Sequence, residues 1–224
     1  MTHQTILVVA AHPDDEILGC GATIANHVAK GDDVHMLIMA EGINSRDDAG
    51  SDALSELHQQ AQKANNHIGA ASCELATLPD NRMDSIDLLD VVKIVEKHIT
   101  RVSPDLIYTH FANDLNIDHR ITHNAVMTAC RPQPGYCVRT ILTFEVPSST
   151  EWNSGYHFVP NWFVPVSQND MQKKQEALAI YASEMRDAPH ARSIETCTAL
   201  ATVRGHTIGK DYAEAFMCIR NITK

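Results

Sequence analysis

A run of β-branched and small apolar residues, Ile6 to Ala11, breaks off in His12-Pro13-Asp14-Asp15-Glu16, and this junction constrains the chain more than any other segment. Six apolar positions without alternation describe a strand covered on both faces, hence one inside a sheet with helices packed on either side. Pro13 has no N–H to give to a ladder, so the chain must turn there. The turn carries an imidazole and three carboxylates. Successive Asp side chains point in different directions, so one can hold a metal ion while its neighbour accepts a proton, the division of labour that metal-assisted hydrolysis needs. Acidic residues also favour the first turn of any helix, and by itself the macrodipole explains these three carboxylates equally well.

Downstream, strand-like and helix-like patterns alternate. This predicts an α/β fold: a Rossmann-like, doubly wound, mostly parallel sheet with helices on both faces and a C-terminal embellishment, in a single domain over residues 1–224. Helices are expected from about Asp15 to Lys30, closed by Gly31, then at Ser51 to His67, Ser85 to Val102 and Asp118 to Ala129, and near Gln168 to Glu184. Strands are expected at Val34 to Ala40, Cys73 to Leu78, Asp105 to Thr109, Thr140 to Val146 and Trp162 to Val166. Ala213 to Ile219 is ambiguous. G-C-G-A-T-I, Gly19 to Ile24, looks like a dinucleotide fingerprint but lacks the last glycine and falls inside a helix, which argues against an oxidoreductase.

A net charge of −10 argues against a general nucleic-acid binder. No apolar run approaches the ~20 residues of a membrane span, and the N-terminus shows no secretion signal, so a cytoplasmic location is expected. The six cysteines are scattered without C-x-x-C spacing and read as reduced core residues. Oligomeric state is not legible, and a homo-oligomer is compatible with everything here.

Ligands of open α/β sheets bind beyond the carboxyl ends of the strands. Four loops should share that rim: His12 to Asp15, Glu41 to Gly50, Pro79 to Asp84 and His110 to Asp118. The last runs on as H-F-A-N-D-L-N-I-D-H-R-I-T-H, His110 to His123, a natural source of further ligands. His119 and His123, four residues apart, make a rival pair on one helical face, without the Glu of H-E-x-x-H.

The contiguous A-H-P-D-D-E resembles the signature of the PIG-L/LmbE-like de-N-acetylases, which remove acetyl groups from N-acetylated amino sugars. The resemblance implies zinc held by His12 and Asp15, with Asp14 as general base. The family's second motif, H-P-D-H, aligns by its D-H pair with Asn116-Ile117-Asp118-His119, which implies His119 as third ligand. Asn116 stands where the family has a His that polarises or protonates the reacting carbonyl. Asn116 can donate a hydrogen bond but no proton, whereas His110 can do both if its loop folds inward. Two His and one carboxylate with open positions suit catalytic zinc, and Fe2+ fits the same set.

Arg46, Asp80, Asn81, Arg82, Arg131 and Glu145 are the candidate substrate-binding residues. Arg46 and Arg82 have the chemistry to grip phosphate. E-G-I-N-S-R, P-D-N-R-M-D and F-E-V-P-S-S-T-E-W resemble motifs of a bacterial polysaccharide-precursor branch of the family. The late P-H-A-R-S-I-E and R-G-H-T-I-G-K-D-Y segments are expected to form a lid, with Arg192 or Arg204 meeting phosphate. The function implied is hydrolysis of the N-acetyl group of an acetamido sugar or sugar nucleotide, free or lipid-linked. Two other readings remain: a zinc amidohydrolase of a non-sugar amide, and a catalytically silent metal-dependent sugar binder. The resemblance covers the first two-thirds of the chain well and the last third only loosely.

Overall fold

The computed structural model describes residues 3–42 and 51–223. Seven strands form one mixed sheet: β1 (Thr5–Ala10), β2 (Asp33–Ala40), β3 (Ser72–Leu78), β4 (Leu106–His110), β5 (Thr140–Phe144), β6 (Trp162–Val166) and β7 (Tyr212–Asn221), in the order β3-β2-β1-β4-β5-β7-β6. The first five are parallel, with β1 between β2 and β4. Residues Ile6 to Ala10 are all buried, and the two faces of β1 feed different cores. Ile6 and Val8 pack with α1 (Asp15–Ala29), α2 (Ser51–Ile68) and α5 (Gln168–Ile180), while Leu7 and Val9 lie under α3 (Leu88–Val102) and α4 (Ile117–Ala129). Burial on both faces is why the strand reads as an unbroken apolar run.

The ambiguous stretch after Ala213 is a strand. β7 runs antiparallel between β5 and β6, closing the sheet on a side that α6 (Ile194–Thr207) covers. Two helices are shorter than expected. α3 begins at Leu88 because Met83–Ser85 forms a separate 3-10 turn around the buried Met83. α5 stops at Ile180, and Tyr181 leaves the helix to bury its ring completely.

α1 departs most from expectation, because Cys20 has φ −148° and ψ 22° and breaks the helix into two halves. Broken helices expose orphan donors and acceptors that need partners when buried. Here Lys174 Nζ donates to the Leu18 carbonyl (2.8 Å), and Glu214 accepts from Ala22 N (3.2 Å) and Thr23 N (2.6 Å). Lys174 and Glu214 also pair with each other at 2.5 Å, both about 5% exposed. A buried ion pair therefore satisfies both ends of the break. Gly19 just before it has no room for a side chain, since a Cβ there would enter the Phe144 ring.

Candidate metal centre and active site

The sheet order reverses between β1 and β4, and a crevice opens there beyond their carboxyl ends. His12 to Glu16 follows β1, Asp80 and Asn81 follow β3, and Asn116 to His119 opens α4. From these segments His12 to Asp15, Asp80, Asn81, Asn116 and His119, together with Ser148, Glu184 and Arg192, line a strongly polar cavity of about 170 Å³.

Asp15, His12 and His119 meet inside it. Asp15 Oδ2 lies 3.2 Å from both His12 Nδ1 and His119 Nε2, and the atoms these residues offer fall within 4.8 Å of one another. The other Asp15 oxygen is buried without a hydrogen-bond partner. Each imidazole faces a carboxylate with its far nitrogen: His12 Nε2 is 3.1 Å from Asp118, and His119 Nδ1 is 3.1 Å from Asp114. Such backing fixes the tautomer of a metal-binding histidine and raises its basicity. Asp114 is itself held by the Ser149 and Thr150 hydroxyls, and Asp118 accepts from Asn81 N (2.7 Å) and Met83 N (3.0 Å). Burial disfavours a charged His12, yet Asp118 and Asp15 outweigh it and drive the ring's pKa up to about 10. A concentration of carboxylates that strong calls for a cation. The donor set, the orphaned oxygen and the charge all fit a zinc or iron(II) ion. His12, Asp80 and Asp118 form an overlapping group. Asp118 already serves two backbone amides, so the first triad is the better ligand set.

Asp14 sits beside the triad in a backbone conformation rarely taken by a side-chain-bearing residue, with φ 103°, a strain on the order of 1–3 kcal/mol. Its surroundings hold it there. The Asp14 N–H donates to Glu16 (3.1 Å), and Glu16 is gripped by Tyr181 Oη (2.6 Å) and Asn65 Nδ2 (2.8 Å). The Asp14 carboxylate takes a hydrogen bond from Arg192 Nη1 at 3.0 Å, while Arg192 Nε donates to Ser148. Burial pushes the Asp14 carboxyl well above the usual range against the pull of Arg192. Glu16 is pushed up to about 7, again by burial.

His110 does not reach the cavity. It is fully buried, stacks on His119 at 4.0 Å between ring centroids, and its Nε2 accepts the Ala11 N–H (2.8 Å). Burial holds its pKa well below the ordinary value. Where a protonating role was expected of it, His110 is packed behind His119 and off the cavity wall. Asn116 lies on the cavity wall, capping α4 through Asp118 N (2.8 Å) and donating to Asn81 (2.8 Å). His123 Nδ1 donates to the His110 carbonyl (2.9 Å), and His123 joins no metal-binding group among the described residues.

Asp80 and Asn81 are on the cavity wall. Arg82 is exposed and off it, and Arg46 lies outside the described residues. Two expectations need correction. Arg131 follows the far end of α4, beside Glu96 and Tyr136 towards the opposite ends of the strands, because a 13-residue helix carries the chain about 20 Å away from the site. Glu145 is taken up by a bidentate pair with Arg204, at 2.7 and 2.9 Å, which ties α6 to the end of β5 outside the cavity. Of the two late arginines, Arg192 enters the cavity and Arg204 does not. Asp114, Asp118, Glu16 and Tyr181 had no role assigned from sequence. Glu16 and Asp118 lie inside the two quoted motifs and Asp114 in the polar loop before His119, whereas Tyr181 had no local hint.

Residues 7–130 match the family described as PIG-L, GlcNAc-PI de-N-acetylase. An Escherichia coli (strain K12) protein named "Uncharacterized deacetylase YaiS" is 30% identical over 183 residues, covering 80% of this chain and 90% of that protein. The chain belongs to the PIG-L family. Among solved structures, the N,N'-diacetylchitobiose deacetylase of Pyrococcus horikoshii superposes with a TM-score of 0.77 at 18% identity, covering 96% of this chain and 83% of that one. GalB, a 4-carboxy-2-hydroxymuconate hydratase from Pseudomonas putida KT2440, superposes with a TM-score of 0.79 at 20% identity, covering 99% and 98%. A deacetylase and a hydratase share this fold, so the fold by itself does not choose the reaction. No helix among the described residues is long and apolar enough to cross a membrane.

Proposed function

We propose that this protein is a zinc-dependent N-deacetylase that hydrolyses the acetamide of an amino sugar, free or in a sugar nucleotide or glycolipid, to acetate and a free amine. One observation carries the reading: a buried two-histidine, one-carboxylate cluster with a separate carboxylate, Asp14, held beside it by Glu16 and Arg192. Held by His12, Asp15 and His119, zinc would supply a Lewis acid that polarises the amide carbonyl and acidifies water.

The chain's own residues do the rest. Asp14 accepts the proton of the attacking water. Once protonated, it can return that proton to the amine nitrogen as the C–N bond breaks, a task that neither Asn116 nor the buried His110 can take over. Arg192 fixes the Asp14 carboxylate and brings positive charge to the wall where the oxyanion develops. Asp80 and Asn81 offer acceptors and donors for sugar hydroxyls. Membership of the family supports the amino-sugar substrate class.

The test is acetate release by zinc-loaded protein from N-acetylglucosamine, N,N'-diacetylchitobiose and UDP-N-acetylglucosamine. Release from at least one is expected. No release from any of them by protein with bound zinc would refute the amino-sugar reading.

A further inference from the structure

The cavity is small for its proposed task. Pockets that enclose a drug-sized ligand run to roughly 300–1,000 Å³, and this one holds about 170 Å³. It accommodates the acetamido end of one sugar, so whatever a larger glycan attaches to that sugar must lie across the rim.

Trp152 is 55% exposed and, without lining the cavity itself, is tied to two segments of its wall. On one side, it ends the short 3-10 turn Thr150–Trp152, directly after Ser148 and Ser149 of the cavity wall. On the other, its ring meets that of His190, with centroids 6.2 Å apart, and His190 Nδ1 accepts the backbone N–H of the cavity residue Arg192 at 3.0 Å. The turn is anchored from below, since Thr150 donates to Asp114, the carboxylate behind His119. The metal-site scaffold therefore holds in place a large apolar ring that solvent still reaches. A pyranose has a face of axial C–H groups and an edge of hydroxyls. It stacks on an indole through that face while its hydroxyls stay hydrated.

We propose that Trp152, backed by His190, is a subsite for a second sugar ring, and that the protein acts on an acetamido sugar within an oligosaccharide or glycoconjugate in preference to the free monosaccharide. This rests on the deacetylase reading and adds the size of its substrate.

The experiment compares wild type with Trp152→Ala on N-acetylglucosamine and on N,N'-diacetylchitobiose. The exposed side chain can be removed without loss of core packing. KM for the disaccharide should rise about fivefold to tenfold, the scale of one lost aromatic contact, with kcat/KM for the monosaccharide unchanged. Equal effects on both sugars, or none on either, overturn the subsite. If the wild type hydrolyses neither of these sugars nor UDP-N-acetylglucosamine, the deacetylase reading fails, and a binding measurement decides the subsite separately. The chain has two tryptophans, so in a Trp162→Phe background the emission reports Trp152 alone. A saturable change on titration with the disaccharide sustains the subsite, and a flat response overturns it.

Discussion

Replacing Glu214 with alanine should cost about 3–5 kcal/mol of folding free energy, the usual result of removing one partner of a buried ion pair. The structure shows why the upper half of that range is reasonable. The substitution takes the acceptor from Ala22 N and Thr23 N at the break in α1 and leaves the Lys174 ammonium buried with the Leu18 carbonyl. At about 2–4 °C per kcal/mol for a chain of this size, the melting temperature should fall by roughly 6–20 °C. Urea unfolding followed by circular dichroism measures the loss. Burial by itself would lower the Lys174 pKa, but Glu214 reverses this and the net shift is upward. A folded-state pKa above the unfolded value of about 10.4 means the contribution is complete below that value and fades as pH rises through the folded one. The wild-type contribution should therefore hold constant between about pH 7 and 9, whereas in the variant burial acts on Lys174 unopposed, so its deficit should shrink as pH rises towards the unfolded value. Removing both charges, as Lys174→Met with Glu214→Leu, should recover part of the loss, since an apolar pair has no buried ion to leave unpaired. A single-variant loss below about 1 kcal/mol would show that the break in α1 does not depend on this pair.

Two further outcomes concern the site. Asp114→Asn should weaken zinc affinity by about 10–100-fold, the usual effect of losing the carboxylate behind a ligand histidine, and an unchanged dissociation constant in chelator competition would remove Asp114 from that role. Tyr181→Phe deletes the 2.6 Å hydrogen bond to Glu16 while keeping the buried ring, so stability should drop by about 1.5–3 kcal/mol. Turnover should fall with it while zinc content stays at one equivalent, and wild-type turnover in that variant would detach the Glu16 network from Asp14.

What the sequence made legible was what lies close together in it. The β1 run and the turn behind it put His12, Asp14 and Asp15 on the page in four residues, and Asp118-His119 pointed to the loop after β4. The parallel half of the sheet followed from its alternating periods, each a local signal. The remainder depends on pairs that have no local trace. Arg192 reaches Asp14 from 178 residues away, and Lys174 caps Leu18 from 156. Gly19 and Gly21 flank the break at Cys20 and weaken the helix there, but the apolar pattern continues through it and hides the signal. Arg131 and Glu145 were drawn towards the site by proximity to strand and helix ends. The length of α4 carries the first away, and Arg204 occupies the second.

The account turns on metal-assisted chemistry with Asp14 as the proton acceptor. The most direct test measures acetate release alongside metal content for chelator-stripped protein, zinc-reconstituted protein, and reconstituted Asp14→Asn. Activity should appear with the first equivalent of zinc, and Asp14→Asn should bind that equivalent yet lose about 100-fold or more in turnover. Undiminished hydrolysis by the stripped protein, or by zinc-loaded Asp14→Asn, would contradict it.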